Sequence, residues 1–405
     1  MTAAQSSCTL EFQLEAMLAE PMESARQREQ NSFDQLAAPF QNRLVLFGAG
    51  QFGRRILRGL RSVGIEPLAF CDNNQALWGH TVDGLQVMAP AEAASIHGQS
   101  SAFLITIWNG NLPDRTSQRV DQLRKLGCAK VVPFGFLFWK YPSAFLPFYP
   151  VDLPHKVLEQ ADEVREVFHL WQDDFSRREY LAQIAFRLHH NFDGMSLPAP
   201  GEHYFPTDLY RLNDDEVLVD CGAYDGDTLR SFLNRQGNRF VRILAYEPDA
   251  LNCAKLRAHV DSLEEPLRRR ISCYQQAVDA QRGVLAFEAT GTELSASGRG
   301  SIQVEAVKLD DALAGVTPTI LKFDIEGAEL GALQGGRQTI QRSHPILAVS
   351  AYHSQSDLWN IPLFVSALWP DYRFYLRPHG HEGWDLVCYA IPPGRTLPAA
   401  EEMPS

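Results

Sequence analysis

The sequence predicts an α/β protein with two parallel-sheet units: a doubly wound sheet in the C-terminal half, a smaller Rossmann-like unit before it, and a helical connector between them. Three observations predict it. Apolar runs that end in a glycine turn and enter a helix occur at residues 43–53 and again at 217–228. Further strand-like runs follow each of them, as in βαβ units. Between the two lies a stretch whose apolar positions recur at three- and four-residue steps. At 405 residues the chain is long enough for two separate cores. The expected order is a polar helical or disordered segment over 1–40, a Rossmann-like nucleotide-binding-type domain over 41–150, a helical connector over 151–205, the larger doubly wound domain over 206–398 and a tail over 399–405.

In the first unit Arg43-Leu44-Val45-Leu46-Phe47 leads into Gly48-Ala49-Gly50-Gln51-Phe52-Gly53, then a helix over 54–63, then a strand ending Phe70-Cys71-Asp72. A G-x-G-x-x-G between strand and helix, with an acid closing the next strand, is the context that nucleotide binding requires. Strands at 103–107 and 130–133, with helices near 90–97 and 114–126, complete one mononucleotide-binding half with a parallel sheet of about four strands. The segment Phe70-Cys71-Asp72-Asn73-Asn74, with Trp78-Gly79 and Val82-Asp83-Gly84, resembles small Rossmann-like domains attached to sugar-modifying and nucleotide-sugar-related enzymes. A nucleotide at Gly48 to Gly53 and a purely structural unit both stay open, because a fold does not specify a function.

The aromatic run from Phe134 to Tyr149 is too dense to leave exposed, so an interdomain or subunit interface is expected there, with a pocket wall as second choice. From Val157 to Leu188 the apolar stripe marks amphipathic helix, so it is core. Asp173, Ser176 and Arg187 lie within or beside it. His189-His190 does not read as a metal site, since neighbours on a helix diverge by about 100°.

The net charge of -12 argues against nucleic acid or an anionic membrane as partner. Seven scattered cysteines, without a C-x-x-C pair, suggest neither zinc nor a disulfide framework. The first twenty residues carry three Glu and lack a basic n-region and a long apolar stretch, so no signal peptide is expected; a cytoplasmic location is.

The most informative run is Val217-Leu218-Val219-Asp220-Cys221-Gly222-Ala223-Tyr224-Asp225-Gly226-Asp227-Thr228. Its glycines let a ligand approach the main chain, while Asp225 and Asp227 stand where a pyrophosphate would rest. A cationic, phosphate-free nucleoside such as S-adenosylmethionine fits better. About twenty residues on, Tyr246-Glu247-Pro248 supplies the acid expected to hold ribose hydroxyls. A third strand ends in Lys322-Phe323-Asp324-Ile325-Glu326-Gly327-Ala328-Glu329, and a fourth in Tyr352-His353. These elements, in this order and at these intervals, resemble the FkbM family of S-adenosylmethionine-dependent methyltransferases over the last half of the chain.

The resemblance implies a class I methyltransferase-type doubly wound sheet and O-methylation of a sugar or secondary-metabolite hydroxyl, with a small-molecule or carbohydrate acceptor. Asp220, Gly222, Ala223, Asp225 and Gly226 would hold the methionine end, Glu247 the ribose, and the turn at Gln276 and Ala277 the adenine edge. Asp324 would border both donor and acceptor. Residues two apart share a strand face, so Lys322, Asp324 and Glu326 are expected to point together toward the acceptor. His353, with an ordinary pKa near 6.5, is the expected proton acceptor. Asp324 and His353 as two ligands of a divalent ion is the alternative, with His344, His379 or His381 as third, and no metal site is assigned. Competing functions are a nucleotide-sugar-linked, NAD-dependent oxidoreductase run from Gly48 to Gly53 and a non-catalytic cofactor-binding scaffold. The first lacks a second half-sheet and a Tyr-x-x-x-Lys near that motif.

Overall fold

The computed structural model describes residues 3–199, 201–288, 296–297 and 302–397, and it divides into two compact units. The first takes Met1–Val164, Arg178–Leu197 and Gly380–Trp384; the second takes Arg165–Arg177, Pro198–His379 and Asp385–Ser405. The tail at 399–405 lies outside the described residues.

The first unit starts with helices α1 (Ala3–Leu18) and α2 (Met22–Ala37). Then come β1 (Leu44–Phe47), α3 (Gln51–Ser62), β2 (Ala69–Cys71), β3 (Thr81–Val82), β4 (Leu85–Met88), α4 (Pro90–His97), β5 (Ala102–Ile105), α5 (Thr116–Lys125) and β6 (Lys130–Pro133). The sheet order is β3-β4-β2-β1-β5-β6, parallel except for β3. Six strands stand where four were expected. The extra hairpin turns on Asp83-Gly84, both at positive φ (47° and 88°), a two-residue turn that suits the twist of paired strands. Helix α2 is no peripheral appendage: Phe33 and Ala37 are fully buried in the core of this unit.

The aromatic run forms helices α6 (Phe134–Lys140) and α7 (Pro142–Phe145), and it fills the interior of the same unit. Phe134, Phe138, Trp139 and Phe145 are all buried, with Phe138 stacked on Phe145 at 4.7 Å. These four rings are core of the first unit, while Phe136, Tyr141, Phe148 and Tyr149 are partly buried against it. The rings also reach the crevice where such a sheet takes its ligand. That crevice lies between β1 and β5, where the strand order reverses. Phe52, in the first turn of α3, and Trp108, just past β5, stand 6.3 Å apart there; Phe148 stacks on Phe52 at 5.4 Å and Trp384 packs on Trp108 at 4.9 Å. Asp72 is occupied too, its carboxylate accepting the N–H groups of Ala49 and Asn74, each at 2.7 Å. Aromatic rings thus stand in the crevice beside Gly48 to Gly53, and Asp72 already holds two backbone N–H groups.

The periodic stretch is three helices, α8 (His155–Glu159), α9 (Ala161–Leu170) and α10 (Asp174–His189), and it is divided between the two units instead of forming a separate connector. Asp173 breaks it, its carboxylate accepting the Ser176 N–H at 2.7 Å as the cap of α10. Asp173 and Ser176 also hold the buried Arg377 guanidinium at 2.6 and 2.9 Å, a structural role within the second unit. Arg187 donates to Gln183 at 2.8 Å. His190 stacks on Trp139 at 4.0 Å, and burial pushes its pKa down to about 3.

The second unit carries β7 (Val217–Cys221), α11 (Asp227–Gln236), β8 (Arg242–Tyr246), α12 (Ala250–Asp261), α13 (Glu265–Arg268) and β9 (Ile271–Tyr274). A small sheet follows: β10 (Ala277–Asp279), β11 (Gly283–Glu288), β12 (Ala296–Ser297) and β13 (Ile302–Lys308), in the order β10-β13-β11-β12. Then come α14 (Leu309–Ala312), β14 (Ile320–Phe323), α15 (Glu329–Gly335), α16 (Arg337–Ser343), β15 (Ile346–Ser350), α17 (Asp357–Leu368), β16 (Arg373–Pro378) and β17 (Leu386–Ile391). The main sheet runs β16-β17-β15-β14-β7-β8-β9, with β17 antiparallel to both neighbours. This is the expected doubly wound sheet. Its order reverses between β7 and β14, so ligands are expected outside the carboxyl ends of these two strands.

Candidate active site

Asp220, one residue from the end of β7, is buried, and its partner in the register with β14 is Lys322. The Lys322 ammonium lies 3.0 Å from the Asp220 carboxylate and donates to the Gly222 carbonyl at 2.6 Å. Burial would discharge this lysine, but Asp220 and then Asp324 outweigh burial and hold it charged, above its ordinary range. Lys322 thus clamps the glycine loop. Within the described residues Lys322 is the partner of this buried carboxylate, and burial raises the Asp220 pKa against it. The N–H groups of Gly222 and Ala223 both donate to the Tyr246 carbonyl, at 2.9 and 3.0 Å, and Gly226 opens α11. Asp225, half-buried in the same loop, pairs with Arg230 at 2.5 Å.

Glu247, just past β8, is buried and accepts the N–H groups of Tyr224 at 2.9 Å and Asp249 at 2.8 Å. Burial pushes its pKa up to about 7 against these two bonds. Beside it lies a cavity of about 150 Å³ lined by Pro248, Ala250, Gln275, Phe287 and Val304 among others. The expected turn at Gln276 and Ala277 is different in kind. Ala277 is buried in strand β10, paired with Ala306, and Gln276 donates to Glu305 at 3.0 Å. Gln275, one residue earlier, is the neighbour that lines the cavity. The short sheet that claims Ala277 pairs it with a strand some thirty residues later, which no neighbouring residue announces.

Strand β14 ends at Phe323, so the alternation that would align Lys322, Asp324 and Glu326 stops there; Glu326 has φ +53°. Asp324 instead meets residues from two other segments. It accepts the Tyr204 hydroxyl at 2.7 Å and stands 3.5 Å from His353 Nε2. Burial alone would raise its pKa, but Lys322, His353 and the Tyr204 hydroxyl push it down to about 2. Tyr204 also covers the Lys322 ammonium, 5.0 Å from the ring centre. His203 stacks on Tyr204 at 3.8 Å, and His379 on His203 at 4.7 Å. The His203 Nε2 is buried without a hydrogen-bond partner among the described residues, and burial pushes its pKa down to about 3. His203 carried no signal in the sequence, being far from the motifs and in no periodic element.

His353 is not the near-neutral base expected from its ordinary pKa. Its Nδ1 lies 2.8 Å from Glu329, and Nε2 is 3.5 Å from Asp324 and 3.8 Å from Glu326. Burial would discharge it, but Glu329, Glu326 and Asp324 together hold it protonated, well above its ordinary value. Asp324, Glu329 and His353 offer atoms within 4.8 Å of one another, so the third member of a metal set would be Glu329, and not His344, His379 or His381. The set fits a proton better than an ion. Both Glu329 oxygens already accept backbone N–H groups, of Ile325 at 2.8 Å and Gly327 at 3.1 Å, and one of them also takes the His353 ring.

Residues 220–382 match the model of the methyltransferase FkbM domain. The C-terminal half carries a methyltransferase FkbM domain. Among solved structures the chain is similar to the methyltransferase FkbM from Methylobacillus flagellatus KT, at 22% identity and a TM-score of 0.73, over 96% of this chain and 100% of that one. That likeness concerns the fold, and it extends well beyond the FkbM domain. A further match is the precorrin-6y C5,15-methyltransferase from Geobacter metallireducens GS-15, at 13% identity and a TM-score of 0.27, over 45% of this chain and 83% of that one. No curated protein sequence matches the chain. Among the described residues, no helix is long and apolar enough to cross a membrane.

Proposed function

We propose that the FkbM domain transfers a methyl group from S-adenosylmethionine to a hydroxyl of a sugar or secondary-metabolite acceptor. The observation that carries this reading is the pair of buried acids at the ends of adjacent strands, Asp220 paired with Lys322 and Glu247 held by two N–H groups, on either side of the glycine loop. Asp220 suits a cationic amino or sulfonium group, Glu247 a ribose diol, and the cavity beside Glu247 a flat base. The bound cofactor supplies a methyl carbon already activated for displacement.

The protein's own task is alignment and one proton. Asp324, fixed by Tyr204, orients the acceptor hydroxyl. As that oxygen gains the methyl group it becomes an oxonium, so its proton passes even to a weak base. His203 is neutral with a free Nε2 and takes that proton; His353, already protonated, fixes the charge and position of Asp324. The oxidoreductase reading loses its support at the ring-filled crevice of the first unit. Calorimetric titration with S-adenosylhomocysteine and with NAD tests the choice: tight binding of the first alone is expected, and binding of NAD alone would overturn it.

A further inference from the structure

The first unit has a second, open hollow outside the carboxyl ends of β2 and β4, on the edge where parallel sheets take ligands. It measures about 400 Å³ and is bordered by Asn73, Gln75, Trp78, Pro90, Gln122 and Leu126. This is within the range of small-molecule sites. It is distinct from the crevice that Phe52 and Trp108 fill.

Two features of its wall define the ligand. No residue lining it ionises, so nothing there balances a phosphate or carboxylate. The Trp78 indole is 37% exposed yet held in place: Nε1 donates to the Asp72 carbonyl at 2.7 Å. The turn beneath is braced as well, the Asp72 carboxylate accepting the Asn74 N–H at 2.7 Å and the Asn74 side chain accepting the Ala76 N–H at 3.1 Å. A fixed aromatic face loses little entropy on binding. Beside it, Asn73 and Gln122 exchange reciprocal amide bonds of 3.2 and 2.7 Å. Each amide has a second N–H and a second lone pair by its chemistry, so the pair offers donors and acceptors together.

We propose that this hollow binds a neutral carbohydrate, with the C–H face of a pyranose ring on Trp78 and its hydroxyls on the amides of Asn73, Gln75 and Gln122. A pyranose presents one apolar face and a rim of groups that both donate and accept, which is the complement of this wall. The uncharged lining favours the sugar itself over the diphosphate of a sugar nucleotide. The proposal stands apart from methyl transfer and would survive its failure.

The test is saturation-transfer NMR on the full-length protein with methyl glycosides of glucose, galactose and rhamnose, and with UDP, for the wild type, Trp78→Ala and Gln122→Ala. Gln122→Ala leaves the Trp78 anchor untouched, and thermal melting checks that both variants fold. Expected is transfer to pyranose C–H protons, with affinity falling roughly tenfold or more, about 1.4 kcal/mol, in folded Trp78→Ala and measurably in Gln122→Ala. Three results would overturn the proposal: no transfer from any glycoside to the wild type at millimolar concentration, transfer that survives both substitutions and so belongs to another site, or binding of UDP alone.

Discussion

A Cβ on Gly222 would lie 1.8 Å from the carbonyl oxygen of Asp324, so the loop after β7 and the end of β14 meet backbone to backbone. Gly222 also has φ +85°. Gly222→Ala is therefore expected to cost about 2–4 kcal/mol, from left-handed strain and from overpacking that neither backbone can relieve. S-adenosylhomocysteine binding should go with it. Urea unfolding reads the first effect, and an unchanged midpoint would show that the contact is softer than this geometry.

Glu247→Ala removes a charged acceptor, and hydrogen bonds to charged groups are worth about 1.5–3 kcal/mol, so cofactor affinity should fall by roughly tenfold or more. Because burial raises the Glu247 pKa to about 7, its carboxylate form dominates only above that value. Wild-type affinity for S-adenosylhomocysteine should accordingly rise between pH 6 and pH 8. Glu247→Gln should abolish the rise; a slope that persists in this variant places the titrating group elsewhere.

Asp324→Asn keeps the shape and removes the charge that faces Tyr204 and His353. Turnover is expected to drop by about 10², a typical cost of losing acid–base or orienting function, while cofactor binding stays near wild type. Equal turnover in a single-turnover assay would remove Asp324 from the machinery.

The pH profile separates the two histidines. With His203 pushed down to about 3 and His353 held protonated, turnover at saturating cofactor should show no limb between pH 6 and pH 8. A limb near 6.5 that disappears in His353→Gln would restore His353 as the base.

His353 also links stability to pH. Its folded pKa lies above its unfolded value, so its stabilising contribution is complete below about pH 6.5 and is lost as pH rises through the folded value. Melting temperatures of wild type and His353→Gln should differ most at pH 6 and converge in alkali. A difference that widens with pH would contradict the protonated assignment.

Much of this architecture is local and so was legible in the chain. A strand end followed by glycines and a helix needs only neighbouring residues, and Asp220, Glu247 and Asp324 stand at or just past such ends. The hairpin at Asp83-Gly84 is equally local but gives a weak signal, because the strands it joins have two and four residues. The small sheet that claims Ala277 is a different case. Its pairing with β13 is non-local, and nothing near Gln276 foretells it.

By itself the sequence determined the two α/β units, the glycine loops and the acids that close the strands, because backbone geometry and burial period are written over a few consecutive residues. Tertiary structure alone decided what those acids face. The β14–β7 register turns Lys322 onto Asp220, the chain before β7 brings His203 and Tyr204 to Asp324, and Glu329 turns His353 from a base into a cation. It likewise decided that Gly380–Trp384 belongs to the first unit, where the Glu382 carboxylate binds Thr116. Charge state and partner depend on which distant segments share a low-dielectric site, and no local pattern encodes that.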